Sequence, residues 1–68
     1  MLGENLKAAR GKNGYTQQEL ADKVHEHRVN IAKYESGTGT PSVAVLVRLA
    51  DALDVSLDWL LDRKDNEE

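Results

Sequence analysis

Sixty-eight residues without a cysteine, at a net charge of −3, bound one small domain and exclude disulfides and thiolate metal sites. A core of this size is worth about 3–5 kcal/mol. No apolar run nears the roughly 20 residues that cross a bilayer, and Met1-Leu2-Gly3-Glu4 opens neither a signal peptide nor a myristoylation site, so a soluble cytoplasmic protein is expected.

Phenylalanine is absent, and helical spacing recurs where strand alternation does not. Leu2, Leu6 and Ala9 predict a first helix, stopped by a left-handed turn at Asn13-Gly14. Thr16 to Glu19 is a T-x-x-E capping box that opens a second helix, with Leu20, Ala21 and Val24 inward. A third helix, from about Arg28 to Ser36, turns Ile31 and Tyr34 inward and ends at Gly37. After Gly37-Thr38-Gly39, Thr40 is expected to cap a fourth helix with Pro41 at its first position. Val43, Leu46, Val47, Leu49, Ala50 and Leu53 give that helix a broad apolar surface. Ser56 is expected to cap a fifth, whose Leu57, Trp59, Leu60 and Leu61 close the core. Residues 62–68 form a polar, acidic tail expected to fray. Neither a repeat nor an interdomain linker is apparent. The chain therefore reads as a single all-α domain over residues 1–68, a compact five-helix bundle. Its second and third helices, separated by about three residues, form a helix-turn-helix.

The charge is divided along the chain. Residues 1–48 carry seven bases against five acids, a net of +2, whereas residues 49–68 carry two against seven, a net of −5. Local charge decides which face meets a phosphate, so the acidic end is expected to point away from any nucleic acid.

Several runs, in order along nearly the whole chain, resemble the phage-repressor and Cro class of helix-turn-helix proteins, the XRE family. They are Arg10, Thr16-Gln17-Gln18-Glu19-Leu20-Ala21, Ile31, Tyr34-Glu35-Ser36-Gly37, Pro41-Ser42, Leu49-Ala50-Asp51-Ala52-Leu53 and Asp54-Val55-Ser56-Leu57-Asp58-Trp59-Leu60-Leu61. The resemblance implies a lambda-repressor-like DNA-binding domain, a cytoplasmic transcriptional regulator of bacterial or phage origin at the nucleoid, and an operator of double-stranded DNA. Its second helix would cross the backbone and its third would lie in the major groove. By position, Arg28, Val29 and Lys33 face base edges, with Asn30 at the margin and Gln18 turned to a base or the backbone. The chemistry suits: Arg28 offers a fork for guanine O6 and N7, and Val29 a contact for a thymine methyl. Ala32 is small enough for the helix to sit deep. Thr16 and Gln17 would meet phosphate at the start of the second helix, as would Thr38 and Thr40 in the loop from Ser36 to Ser42. Arg10 and Glu35 match a family ion pair that holds the third helix, with the guanidinium aimed at a phosphate. Family members bind as homodimers on half-sites about 34 Å apart, and Leu57 and Trp59 are the candidate dimer surface.

The turn departs from the family, which has glycine, an apolar residue and a small hydroxyl there, where this chain has His25, Glu26 and His27. A left-handed His25 is uncommon for a non-glycine residue, and His27 is a poor cap. Glu26 is expected to set a negative charge near the DNA, so that an apolar replacement strengthens binding. Two histidines without a third ligand make a weak metal site, and solvated turn residues are the plainer account. No grouping supports catalysis, and neither cofactor nor metal is expected. The competing class is a protein-interaction module, in which the acidic turn and tail meet a basic partner protein.

Overall fold

The computed structural model describes residues 1–62, and the remainder of the acidic tail lies outside them. Five helices follow one another: α1 (Leu2–Lys12), α2 (Gln17–Val24), α3 (Arg28–Ser36), α4 (Val43–Leu53) and α5 (Leu57–Leu60). No strand occurs among the described residues, and none of these helices is long and apolar enough to cross a membrane.

Each start and stop has a local cause. The Thr16 hydroxyl accepts from Glu19 N–H at 3.0 Å, and the Glu19 carboxylate accepts from Thr16 N–H at 2.8 Å, so the capping box that opens α2 is complete. Gly37, at φ 84°, ends α3 in the left-handed region where a side chain is strained. The Ser56 hydroxyl caps α5 by accepting from Trp59 N–H at 3.0 Å. The fourth helix begins later than its sequence suggests. Ser42, not Thr40, is its cap, accepting from Val45 N–H at 3.2 Å, and Pro41 stands outside the helix as a buried residue.

Leu6, Leu20, Val24, Ile31, Leu49, Leu53 and Leu60 form the fully buried centre. Full burial of such a side chain is worth about 1.5–3 kcal/mol. α1 packs against α3 and α5, α2 against α3 and α4, and α4 against α5. Along α4 the buried positions are Val45, Leu49, Ala50 and Leu53, which places Val43 and Val47 on the outer side, 75% and 40% exposed. Trp59 also departs from expectation. It is 46% exposed and Leu57 36%, because α5 is four residues long and a single turn that buries Leu60 has little inner face left.

Candidate nucleic-acid interface

The third helix is divided lengthwise. Ile31 is fully buried, Tyr34 and Glu35 are half-buried on the same side, and Arg28, Val29, Lys33 and Ser36 are exposed around a half-buried Ala32. Positions 28, 29, 32, 33 and 36 follow helical spacing and form one outward stripe. Val29, 53% exposed, is an apolar group in the middle of it.

This stripe is held from behind. The Arg10 guanidinium donates to Glu35 through Nε at 2.6 Å and Nη2 at 3.1 Å, and through Nη1 to the Tyr15 carbonyl at 2.9 Å. Side-chain exposures of 16% for Arg10 and 5% for Glu35 make this a mostly buried, two-pronged pair. The hydrogen bond to Glu35 raises the Arg10 pKa above its ordinary value, against the burial that lowers it. All three guanidinium nitrogens have a protein partner, so Arg10 anchors the end of α3, with one N–H left on each of Nη1 and Nη2. Closer to the start of α1, a Cβ at Gly3 would stand 2.4 Å from the Glu35 carbonyl oxygen, so only glycine lets α1 approach α3 this closely.

The turn between α2 and α3 places His25 at φ 59°, ψ 45°. Its N–H reaches the Asp22 carbonyl at 3.4 Å, and Glu26 N–H reaches that of Ala21 at 2.9 Å, the closure that normally employs glycine. His27 is the cap residue of α3 and makes no side-chain cap bond. Glu26 behaves differently from its sequence-based reading. Its side chain turns inward: Oε1 accepts from Asn30 Nδ2 and from the Tyr34 hydroxyl, both at 3.1 Å. Its Oε2 faces Arg48 Nη2 at 3.7 Å, and Arg48 Nε donates to the Val24 carbonyl at 3.0 Å. Burial, and then the Glu26 acceptor, raise the Tyr34 pKa above its ordinary value and keep the phenol a donor. Asn30 accordingly lies half-buried with its amide nitrogen already engaged.

The side chains around the stripe are also partly committed. Gln17 Nε2 donates to Glu35 Oε1 at 3.1 Å, which leaves that nitrogen a second N–H. Gln18 is exposed and bonds along its own helix to Asp22 at 2.9 Å. After α3, the Lys33 carbonyl gathers the loop, accepting from the N–H groups of Gly37, Thr38 and Gly39. The hydroxyls of Ser36 and Thr38 lie 2.9 Å apart, and Thr40 is exposed farther along. Gly3, Tyr34 and Arg48 thus belong to the support of the stripe, and the sequence reading missed them in that role. A glycine inside a helix, costing about 1 kcal/mol against alanine, was the available signal for the first.

A helix-turn-helix family model matches residues 6–60. The chain belongs to the XRE-type helix-turn-helix family. It is 42% identical over 67 residues to the uncharacterized HTH-type transcriptional regulator YqaE of Bacillus subtilis (strain 168), covering 98% of this chain and 58% of that one. Solved structures share the helix-turn-helix arrangement. The DNA complex of SinR, master regulator for biofilm formation, superposes with a TM-score of 0.85 at 33% identity, covering 91% of this chain and 100% of that one. The DNA-binding domain of the P22 C2 repressor gives 0.86 at 30% identity, with 98% and 91% covered. The chain spans about half the length of the curated helix-turn-helix relatives it matches.

Proposed function

We infer that the protein is a transcriptional regulator, acting as a repressor, that binds double-stranded DNA by setting the outer stripe of α3 in the major groove. The carrying observation is the division of α3: Arg28, Val29 and Lys33 outward, Ile31 buried, and Glu35 bolted to α1 through Arg10. An exposed valine between two cations suits a groove that offers thymine methyls and guanine acceptors between phosphates, and a rigid backing keeps those side chains in register. Membership in a family that includes SinR, solved with DNA, supports the same reading.

Arg28, Val29 and Lys33 are assigned to base edges, with Asn30 and Gln18 at the margins. Thr16, Gln17, Thr38 and Thr40 are assigned to phosphates, and Arg10, the anchor of α3, turns a remaining N–H to a phosphate as well. With few cations near the phosphates, about 3–5 backbone contacts per monomer and a shallow salt slope are expected. Two copies pair on a two-fold operator through Leu57 and Trp59, the apolar side chains that α5 leaves exposed. A whole protein as long as its relatives would act from the cytoplasm on its operator, with no catalytic step.

Selection of bound duplexes from a random pool, followed by titration at two salt concentrations, tests this. A two-fold symmetric site is expected, lost in the Arg28→Ala, Lys33→Ala double variant. Binding that ignores sequence and disappears with salt would instead favour a protein-interaction module of the same fold, in which the acidic turn and tail meet a basic partner protein.

A further inference from the structure

Glu26 is a carboxylate in the turn that leads into α3, yet its side chain is only 15% exposed. Three groups hold it: the Asn30 amide and Tyr34 hydroxyl on Oε1, and Arg48 beside Oε2. Arg48 is itself fixed by the Val24 carbonyl. An ionised carboxylate accepts hydrogen bonds and donates none. A carboxamide beside it must therefore present nitrogen, since its oxygen would meet a second acceptor. This removes the usual two-fold freedom of an asparagine amide. The nitrogen of Asn30 turns to Glu26, and the carbonyl oxygen, on the other arm of the amide, is left for a ligand.

We propose that Glu26 is a positioning residue for base selection, locking the Asn30 amide so that its oxygen selects a base that presents an exocyclic amine in the major groove, adenine or cytosine, over guanine or thymine. The inference rests on the DNA-reading role given above to α3. In the major groove, adenine N6 and cytosine N4 donate, while guanine O6 and thymine O4 accept. An amide held with its oxygen outward matches the first pair and opposes the second. Released from Glu26, the same side chain rotates about its last bond and serves either. The sequence pattern suggests a different role for Glu26, a charge that repels the backbone, and the two roles predict different outcomes.

The test uses the operator selected with the full chain, and measures affinity for all four base pairs at each position with Glu26→Gln, Glu26→Val and Asn30→Ala. The pair that loses its preference in Asn30→Ala is the one Asn30 meets, and its adenine or cytosine, on whichever strand, is the base Asn30 is expected to read. Glutamine can turn either its oxygen or its nitrogen to Asn30, so Glu26→Gln keeps only part of the preference. Glu26→Val lowers it about tenfold at that position alone, with no further loss when combined with Asn30→Ala. Should Glu26→Val not fold, the wild-type protein gives the answer with an operator whose selected base lacks its exocyclic amine. That operator binds the wild type about tenfold more weakly and Asn30→Ala no differently. Wild-type binding left unchanged when the adenine or cytosine of that pair lacks its exocyclic amine overturns the proposal. So does a uniform rise in affinity with Glu26→Gln and Glu26→Val, which would make Glu26 a repelling charge. A wild-type chain that selects no sequence at all removes the DNA-reading role itself, and the inference with it.

Discussion

The two turns that lead into α3 and α5 begin alike and finish differently. Ala21-Asp22-Lys23-Val24-His25 and Ala50-Asp51-Ala52-Leu53-Asp54 each end a helix on a left-handed residue that is not glycine, at φ 59° and φ 58°. Each closes with the same long bond, Glu26 N–H to the Ala21 carbonyl and Val55 N–H to that of Ala50. The next two residues then diverge. After α4, Val55 packs against the core and Ser56 caps the short helix that follows. After α2, Glu26 is held by hydrogen bonds and His27 leaves the start of α3 without a side-chain cap. α5 is secured at its own beginning by the Ser56 cap. α3, without a side-chain cap, relies on groups outside its first turn.

α1 supplies that backing to both helices, with unequal strength. It grips α3 through the Arg10–Glu35 pair and α5 through an uncharged amide, Asn5 Nδ2 donating to the Trp59 carbonyl at 2.9 Å. Arg10→Ala leaves the Glu35 carboxylate buried without its cation and is expected to cost about 3 kcal/mol. Asn5→Ala removes that bond and the one the same nitrogen donates to the Asp62 carboxylate at 2.9 Å, both at an exposed helix end, for about 1 kcal/mol. Urea unfolding of the two variants measures the difference. Equal losses would mean that the charged pair does no more for α3 than the amide does for α5.

The cap positions invite the next comparison. Ser56→Ala is expected to lower stability by about 1 kcal/mol, and His27→Ser to raise it by a similar amount by adding the cap bond that α3 lacks. Thermal unfolding of both variants shows whether the signs are opposite. A stability loss in His27→Ser would indicate that the imidazole secures the turn by packing alone.

The bounds of α2, α3 and α5 and most of the core were legible in the sequence, because capping residues, a terminal glycine and helical spacing are local signals. The start of α4 was less so: Thr40 and Ser42 are both capping residues on either side of a proline, and the choice between them depends on where Pro41 is buried. The likeness of the two turns also escaped notice, since five residues with two identities carry little pattern until their backbones coincide. The outer stripe of α3 was readable by periodicity plus resemblance. Its support was not. Gly3 and Gly11 are both glycines within α1, yet a Cβ at Gly3 would collide with backbone whereas at Gly11 it would meet open space. Glu26 was read as a negative charge near the DNA, although Asn30 and Tyr34 follow it at helical spacing, four and eight residues on; Arg48, on α4, is the partner no spacing announces.

The last contrast is one of protonation. In the first turn the contact depends on a phenol that donates, Tyr34 to Glu26 at 3.1 Å. In the second, Val55 makes an apolar contact that no proton governs. Burial, reinforced by Glu26, raises the Tyr34 pKa in the folded chain above its ordinary 10.0. The stability this lends is therefore complete below the unfolded value and is lost as pH rises through the raised folded one. Denaturant midpoints near about pH 9 and about pH 11 should fall less in Tyr34→Phe than in the wild type, since phenylalanine has no proton to lose. The drop caused by lysines losing charge is common to both chains and cancels in the comparison. Parallel drops would show that the phenol keeps its ordinary titration, and that the turn leading into α3 resists alkali as well as the one leading into α5.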